Sequence, residues 1–294
     1  MINADSHASN AEAIAQALTL ELETLTQVVE TLDIEHEALM GSDAERLEQA
    51  VAAKQRAIAA HAQARHERES LGLREGLRAQ ILKMGGLVED QIAQALNALT
   101  TGDLALCEQV ERGDRKVNDM EIDIDEKISR VIALRQPAAG DLRLLMSFEK
   151  TITDLERIGD EADKIARMTK LIYSDDRIRL PRTTEIRHMS DVSVGMLRKA
   201  LDAFARLDAS LTAEVIAKDN VVDEEFKAIL RQLITMMMED PRTISMSIEM
   251  LFIAKAIERI GDHAKNIAEY VIYIVKGKDV RHFSIEDIKR EANS

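Results

Sequence analysis

The chain has 294 residues, 46% hydrophobic, 3% aromatic and 31% charged, with a net charge of -14 that argues against sequence-independent nucleic-acid binding, where a positive footprint must displace counterions. Its one cysteine, Cys107, excludes an intramolecular disulfide and fits a reducing compartment. No apolar run approaches the ~18 residues of a membrane span, and the start Met1 to His7 lacks the basic and apolar parts of a signal peptide, so a cytosolic location is expected. Three prolines and 12 glycines in a background of Ala, Leu, Ile, Glu, Lys and Arg predict helix nearly everywhere, and hence an all-α fold.

In chain order, Leu18, Leu22, Leu25, Val29, Leu32, His36 and Leu39 repeat with 4-3-4-3-4-3 spacing, the seam of a coiled-coil helix. Gly41 ends that helix. Ser42-Asp43-Ala44-Glu45 predicts a capping box, with the Ser42 hydroxyl on the amide of Glu45 and Glu45 reaching back. Leu47, Val51, Lys54, Ile58 and His61 continue a more polar seam, so residues 11–70 are expected to fold back as an antiparallel hairpin. Gly72 and Gly76 mark the expected end of a hairpin domain at 1–72, although one helix could run through into the next domain and bend near Gly85-Gly86.

Six long helices follow, three in each of two units expected at 73–180 and 181–294. In the first they fall at about 75–100, 103–134 behind an Asp103 cap, and 138–173 after Pro137; in the second at about 183–207, 210–239 and 242–276. Pro181 and the charged loop 174–182 separate the units, and Pro241 takes the corner that Pro137 takes in the first. Two tandem three-helix bundles are the economical architecture.

The units are repeats. Glu156-Arg157-Ile158-Gly159-Asp160 recurs 102 residues later as Glu258-Arg259-Ile260-Gly261-Asp262, and Asp114-Arg115-Lys116-Val117-Asn118 parallels Asp219-Asn220-Val221-Val222-Asp223. Glu156 with Asp160, Glu258 with Asp262, and Asp219 with Asp223 are each four apart on a helix, where like charges cost roughly 0.2–0.5 kcal/mol per pair. Recurrence of an unfavourable arrangement predicts a compensating cation. Oxygen donors from two adjacent helices suit a divalent or ferric ion, with Mg²⁺, Mn²⁺, iron and zinc left open, although a zinc site of Cys and His is not suggested. In the first unit Asn118 replaces the second acid, so a site on Asp114, Glu156 and Asp160 is expected to bind less tightly than one on Asp219, Asp223, Glu258 and Asp262. The bland alternative is that these acids lie on a solvated face or pair with Arg157, Arg259 and nearby lysines. Gly159 and Gly261 suggest close helix approach.

Other candidates are thinner. Glu185-Ile186-Arg187-His188 is a single Glu-x-x-His, whereas a di-iron bundle needs two. Cys107 reads as a small buried apolar residue, Met236-Met237-Met238 as core filling, and Arg177, Arg179, Arg182 and Arg187 as solvated surface or a dock for an acidic partner. No recognisable catalytic constellation is present, and an enzyme is not expected.

The repeat and its corners, with Lys83-Met84-Gly85-Gly86-Leu87-Val88-Glu89, Asp141-Leu142-Arg143-Leu144, Met237-Met238-Glu239-Asp240, Arg242-Thr243-Ile244 and Val275 to His282, resemble the PhoU family over about 74–290. The resemblance implies two tandem three-helix bundles and an E(D)xxxD metal motif, which falls on Asp219/Asp223, Glu258/Asp262 and Glu156/Asp160 and is broken at Asn118. It also implies a non-enzymatic negative regulator of phosphate uptake that bridges the ATPase subunit of a phosphate ABC transporter and a phosphate-sensing histidine kinase. Contact with the membrane would be peripheral, through those partners, and a homodimer is left open. The stretch from Glu35 to Leu47, with Lys54 and Arg68-Glu69-Ser70-Leu71-Gly72, is similar to the first half of FlgN-type flagellar export chaperones. That implies an alternative function, capture of an export substrate's helix by the hairpin.

Overall fold

A computed structural model describes residues 4–174, 184–281 and 283–293; Arg177, Arg179, Pro181, Arg182 and His282, singled out above, lie outside the described residues. The described chain is helical with no strand: α1 (Ala4–Met40), α2 (Ala44–Thr101), α3 (Leu104–Arg135), α4 (Ala139–Tyr173), α5 (Thr184–Arg206), α6 (Thr212–Glu239), α7 (Ile244–Lys276) and a short α8 (Ile285–Asn293). The all-α expectation holds, and five of the six helices of the repeats fall within a few residues of their expected bounds; the first, expected at about 75–100, is the C-terminal part of the longer α2. Residues Met1–Gly76 and Leu77–Ser294 form two compact units, with α2 continuous past Gly72, Gly76, Gly85 and Gly86.

In the first unit, α1 and α2 are joined by a tight turn. The Gly41 amide donates to the Glu37 carbonyl at 2.9 Å, Ser42 takes a left-handed φ of 55°, and the Asp43 carboxylate accepts from the Arg46 amide at 3.1 Å. The cap is therefore Asp43 and not Ser42, because the serine is needed to reverse the chain. Pairing is antiparallel as expected: Lys54 donates to Glu35 at 2.7 Å, His61 meets Thr24 at 3.3 Å, and Arg68 pairs with Glu21, so numbers rise on one helix as they fall on the other.

The leucine seam, however, does not face α2. Leu18, Leu22, Leu25, Val29, Leu32 and Leu39 are between 44% and 64% exposed, and Ile58 is 49% exposed, whereas Thr24, Ala38, Ala50, Ala57 and Ala64 are buried. The reason is electrostatic and steric. Glu21, Thr24 and Glu35 stand one residue before Leu22, Leu25 and His36, which turns them about 100° round the helix. They find Arg68, His61 and Lys54 on α2, between alanines seven residues apart that let the two backbones approach.

The second unit is built round α4 and α7, the helices that carry the duplicated pentapeptide. These two pack extensively against each other. Their buried stripes, from Leu145 to Ile172 and from Met246 to Ile272, recur at helical spacing and feed one continuous core with Ile81, Met84 and Val88 of α2, Val117 and Ile124 of α3, Met196 and Phe204 of α5 and Val222 of α6. Phe148 of α4 and Phe204 of α5 meet at 5.4 Å between ring centroids, and Arg198 of α5 donates to Glu89 of α2 at 3.0 Å, so the two repeats share their core. The turns follow the sequence punctuation. Asp103 caps α3 by accepting from the Ala105 and Leu106 amides, Asp208 and Asp240 cap short 3-10 turns that lead into α6 and α7, and Gly277 closes α7 with a φ of 73°.

Candidate functional site

α3 and α4 lie against each other along their length, as do α6 and α7. Val117 and Val222 fill the gap at Gly159 and Gly261, so the acids one turn either side are carried to the same flank of each helix pair. A Cβ built on Gly159 would lie 3.5 Å from Val117, and one on Gly261 3.5 Å from Val222. The close approach expected at these glycines thus leaves room for a methyl group.

In the first repeat the structure brings Asp114, Glu156 and Asp160 together and adds Glu121 and Asp163. Burial, then the neighbouring charges of Asp160 and Asp163, raises the Asp114 carboxyl; burial, then Asp160, Glu121 and Asp114, raises Glu156. Burial likewise raises Glu121, which accepts from the Thr153 hydroxyl at 3.3 Å, and Asp163, which pairs with Arg167 at 2.9 Å. Asn118 donates its amide to Asp114 Oδ2 at 3.2 Å, while Asp114 Oδ1 and Asn118 Oδ1 are buried without a partner. Gln91 of α2, also buried, has neither amide atom satisfied, and its head fits between Gly113 and Gly159, whose added Cβ atoms would sit 3.1 and 3.4 Å from it. A groove of about 480 Å³ lined by Gln91, Gln94, Arg112, Gly113 and Lys116 opens beside it.

The second repeat gathers Asp219, Asp223, Glu258 and Asp262. Burial, then Glu258 and Asp219, pushes Asp262 up to about 6. Here the protein supplies its own cations: Lys265 donates to Asp219 at 2.5 Å and Lys255 pairs with Glu258. Lys265 occupies the repeat position of Asp163, 102 residues earlier, and Lys255 that of Thr153. Further along α7 the buried Glu269 is pushed up to about 7 by burial, with Lys265 opposing the shift.

All seven sequence-derived acids therefore sit in two clusters, one per repeat. Among the described residues no three His, Cys, Asp or Glu side chains are positioned to hold an ion as they stand. Sequence reasoning missed Glu121, Asp163 and Gln91, and had Lys255 and Lys265 only as the unnamed nearby lysines of its bland alternative. Glu121, Asp163 and Lys265 each stand three residues past a motif residue, on the same helical face, which is a readable signal. Gln91 has none, because only the packing of α2 on α3 and α4 brings it there.

Between the repeats, α4 and α7 bury a second polar group. His263 Nδ1 lies 2.7 Å from Asp154 Oδ1, which also accepts from the Asn266 amide at 3.3 Å, and Glu161 pairs with Arg259. The Arg259 of the second pentapeptide thus answers an acid of the other repeat.

The family model described as the PhoU domain matches this chain twice, at residues 81–169 and 186–271. The phosphate-specific transport system accessory protein PhoU homolog of Pseudomonas aeruginosa is 48% identical over 221 residues, covering 75% of this chain and 90% of that protein. PhoU of Escherichia coli K12 is 44% identical over 216 residues, 74% of this chain and 89% of that one. The crystal structure of PhoU from Pseudomonas aeruginosa superposes with a TM-score of 0.68 at 48% identity, over 70% of this chain and 99% of its own. That of the phosphate transport system regulatory protein PhoU from Streptococcus pneumoniae gives 0.65 at 29% identity, over 70% and 97%.

Proposed function

The chain belongs to the PhoU family, and from that premise we propose that it is a non-catalytic accessory regulator of phosphate uptake that restrains the phosphate-starvation response. The observation that carries the reading is the pair of family matches laid over both repeats, each of which includes its Glu-Arg-Ile-Gly-Asp motif. Its partners would be the ATPase subunit of a phosphate ABC transporter and a phosphate-sensing histidine kinase, met at the inner face of the membrane; no described helix is long and apolar enough to cross it.

The carboxylate clusters support a metal-binding part of this function. Clustered acids, mostly half-buried, among which Asp114, Glu156 and Asp262 are raised by burial and by their acidic neighbours, and a buried Asp114 Oδ1 left without a donor, favour a bound cation. Asp114, Glu156 and Asp160, helped by Glu121, would hold the ion in the first repeat, and Asp219, Asp223, Glu258 and Asp262 in the second. The ion would neutralise the acids and fix α3 to α4, or α6 to α7. The ranking expected from Asn118 alone reverses in this reading, because Lys255 and Lys265 already neutralise the second cluster while the first keeps orphaned oxygens.

Regulation is tested in cells lacking their own regulator, carrying a reporter for phosphate-starvation genes. In phosphate-rich medium the full chain should lower the reporter, residues 75–294 should do so equally, and the transporter ATPase or the kinase should co-purify. Full reporter activity with both forms would refute the assignment.

A further inference from the structure

The hairpin turns its most apolar face outward, and nothing in the phosphate reading uses that face. Leu18, Leu22, Leu25, Val29, Leu32 and Leu39 form a stripe about 32 Å long at 1.5 Å per residue. Ile58 extends it onto α2: it stands one residue past the buried Ala57, as Leu25 stands one past Thr24, and in an antiparallel pair those offsets fall on the same side. A continuous apolar stripe of this size on a small domain is uncommon unless something covers it.

We infer that a second copy of the same chain covers it, the two α1 helices running parallel as a two-stranded coiled coil. From Leu18 to Leu39 every d position of the heptad is leucine: Leu18, Leu25, Leu32 and Leu39. The a positions hold Leu22, Val29 and one polar residue, His36. Leucine at every d with a single polar residue at a is the pattern that fixes register and partner number in parallel pairs.

The flanks agree. In a parallel pair, the g positions Glu21, Val28 and Glu35 face Thr26, Asp33 and Met40 of the other copy, so no acid meets an acid. Glu21 and Glu35 are moreover already held by Arg68 and Lys54 of their own hairpin. An antiparallel pair centred near Val28 would set Glu21 against Glu35. The seam is about 32 Å long and one helix diameter, roughly 10 Å, wide, the strip that a two-stranded coil covers.

The test uses the full chain. Light scattering should give a mass of about twice 32.9 kDa, and Leu25→Lys with Leu32→Lys should weaken self-association at least ~100-fold, since four charges would enter the seam. Leu18→Cys and Leu39→Cys, each alone, should form a disulfide-linked dimer under mild oxidation, whereas Ala60→Cys on α2 should not. Cross-linking at both ends of α1 requires a parallel, in-register pair, so it separates this interface from any dimer made by the six-helix unit. A monomeric wild type, no cross-link at Leu18 and Leu39 above the Ala60 control, or a cross-link at only one end would overturn the proposal. So would a chain that stays monomeric and instead binds the amphipathic helix of another protein on this face.

Discussion

Asp154→Ala tests whether the two repeats are held together by polar contacts as well as by packing. Asp154 on α4 is 2% exposed and its Oδ1 serves both His263 and Asn266 of α7, at 2.7 and 3.3 Å. Its removal leaves the buried His263 and the half-buried Asn266 without this acceptor, at about 1–3 kcal/mol for a fully buried group and less for a partly solvated one. The pair's distances are unequal, and some relaxation into the space vacated is expected, so the loss should be about 3 kcal/mol. For a unit of this size each kcal/mol moves the melting temperature by about 2–4 °C, which gives a fall of roughly 6–12 °C. The assay is thermal unfolding of the full chain followed by circular dichroism, with His263→Ala and the double variant completing a cycle. Because the two side chains touch, the double variant should lose less than the sum, with a coupling of at least ~1 kcal/mol. A melting temperature within about 1 °C of wild type for Asp154→Ala would show that the interface rests on apolar packing alone. Strict additivity would show that the contact contributes nothing of its own.

Glu269→Gln should stabilise the protein at pH 8. The folded-state pKa is raised from 4.5 to about 7, so the folded form binds its proton more tightly than the unfolded one, and this group's destabilising effect grows as pH rises between those values. After allowance for residual solvation the gain should be about 1–2 kcal/mol at pH 8, vanishing near pH 4.5; urea melts at both pH values that show no difference from wild type would refute the burial argument. Gly159→Ala should raise stability by about 0.5–1 kcal/mol, since the added methyl meets Val117 at ordinary contact distance and the helix gains propensity; a lower melting temperature would mean the glycine is sterically required. Asp163→Lys copies Lys265 into the first repeat and should abolish metal uptake there, whereas Asp223→Asn should lower total metal only slightly. Elemental analysis after chelation and reloading decides, and unchanged metal in Asp163→Lys would sink the ranking of the two clusters.

The helices from α3 to α7, their corners and the duplication were legible in the sequence, because each depends on signals within a few residues: Asp103 ahead of α3, proline at positions 137 and 241, apolar residues at helical spacing in α4 and α7. The seven acids were legible for the same reason, since residues four apart must share a face wherever the helix goes. Which face of α1 turned inward was not. The leucine seam and the row that faces α2 differ by one residue, and period alone cannot choose between two rows of the same period; Glu21, Thr24 and Glu35 chose, by finding Arg68, His61 and Lys54 on another helix. Nor could spacing rank the two acidic clusters. Lys265 and Asp163 fill one repeat position with opposite charges, and whether such a residue neutralises an acid or crowds it depends on which helix packs opposite and how much water the contact excludes. Those are distances between residues far apart in the chain, set only when α3 closes on α4 and α6 on α7.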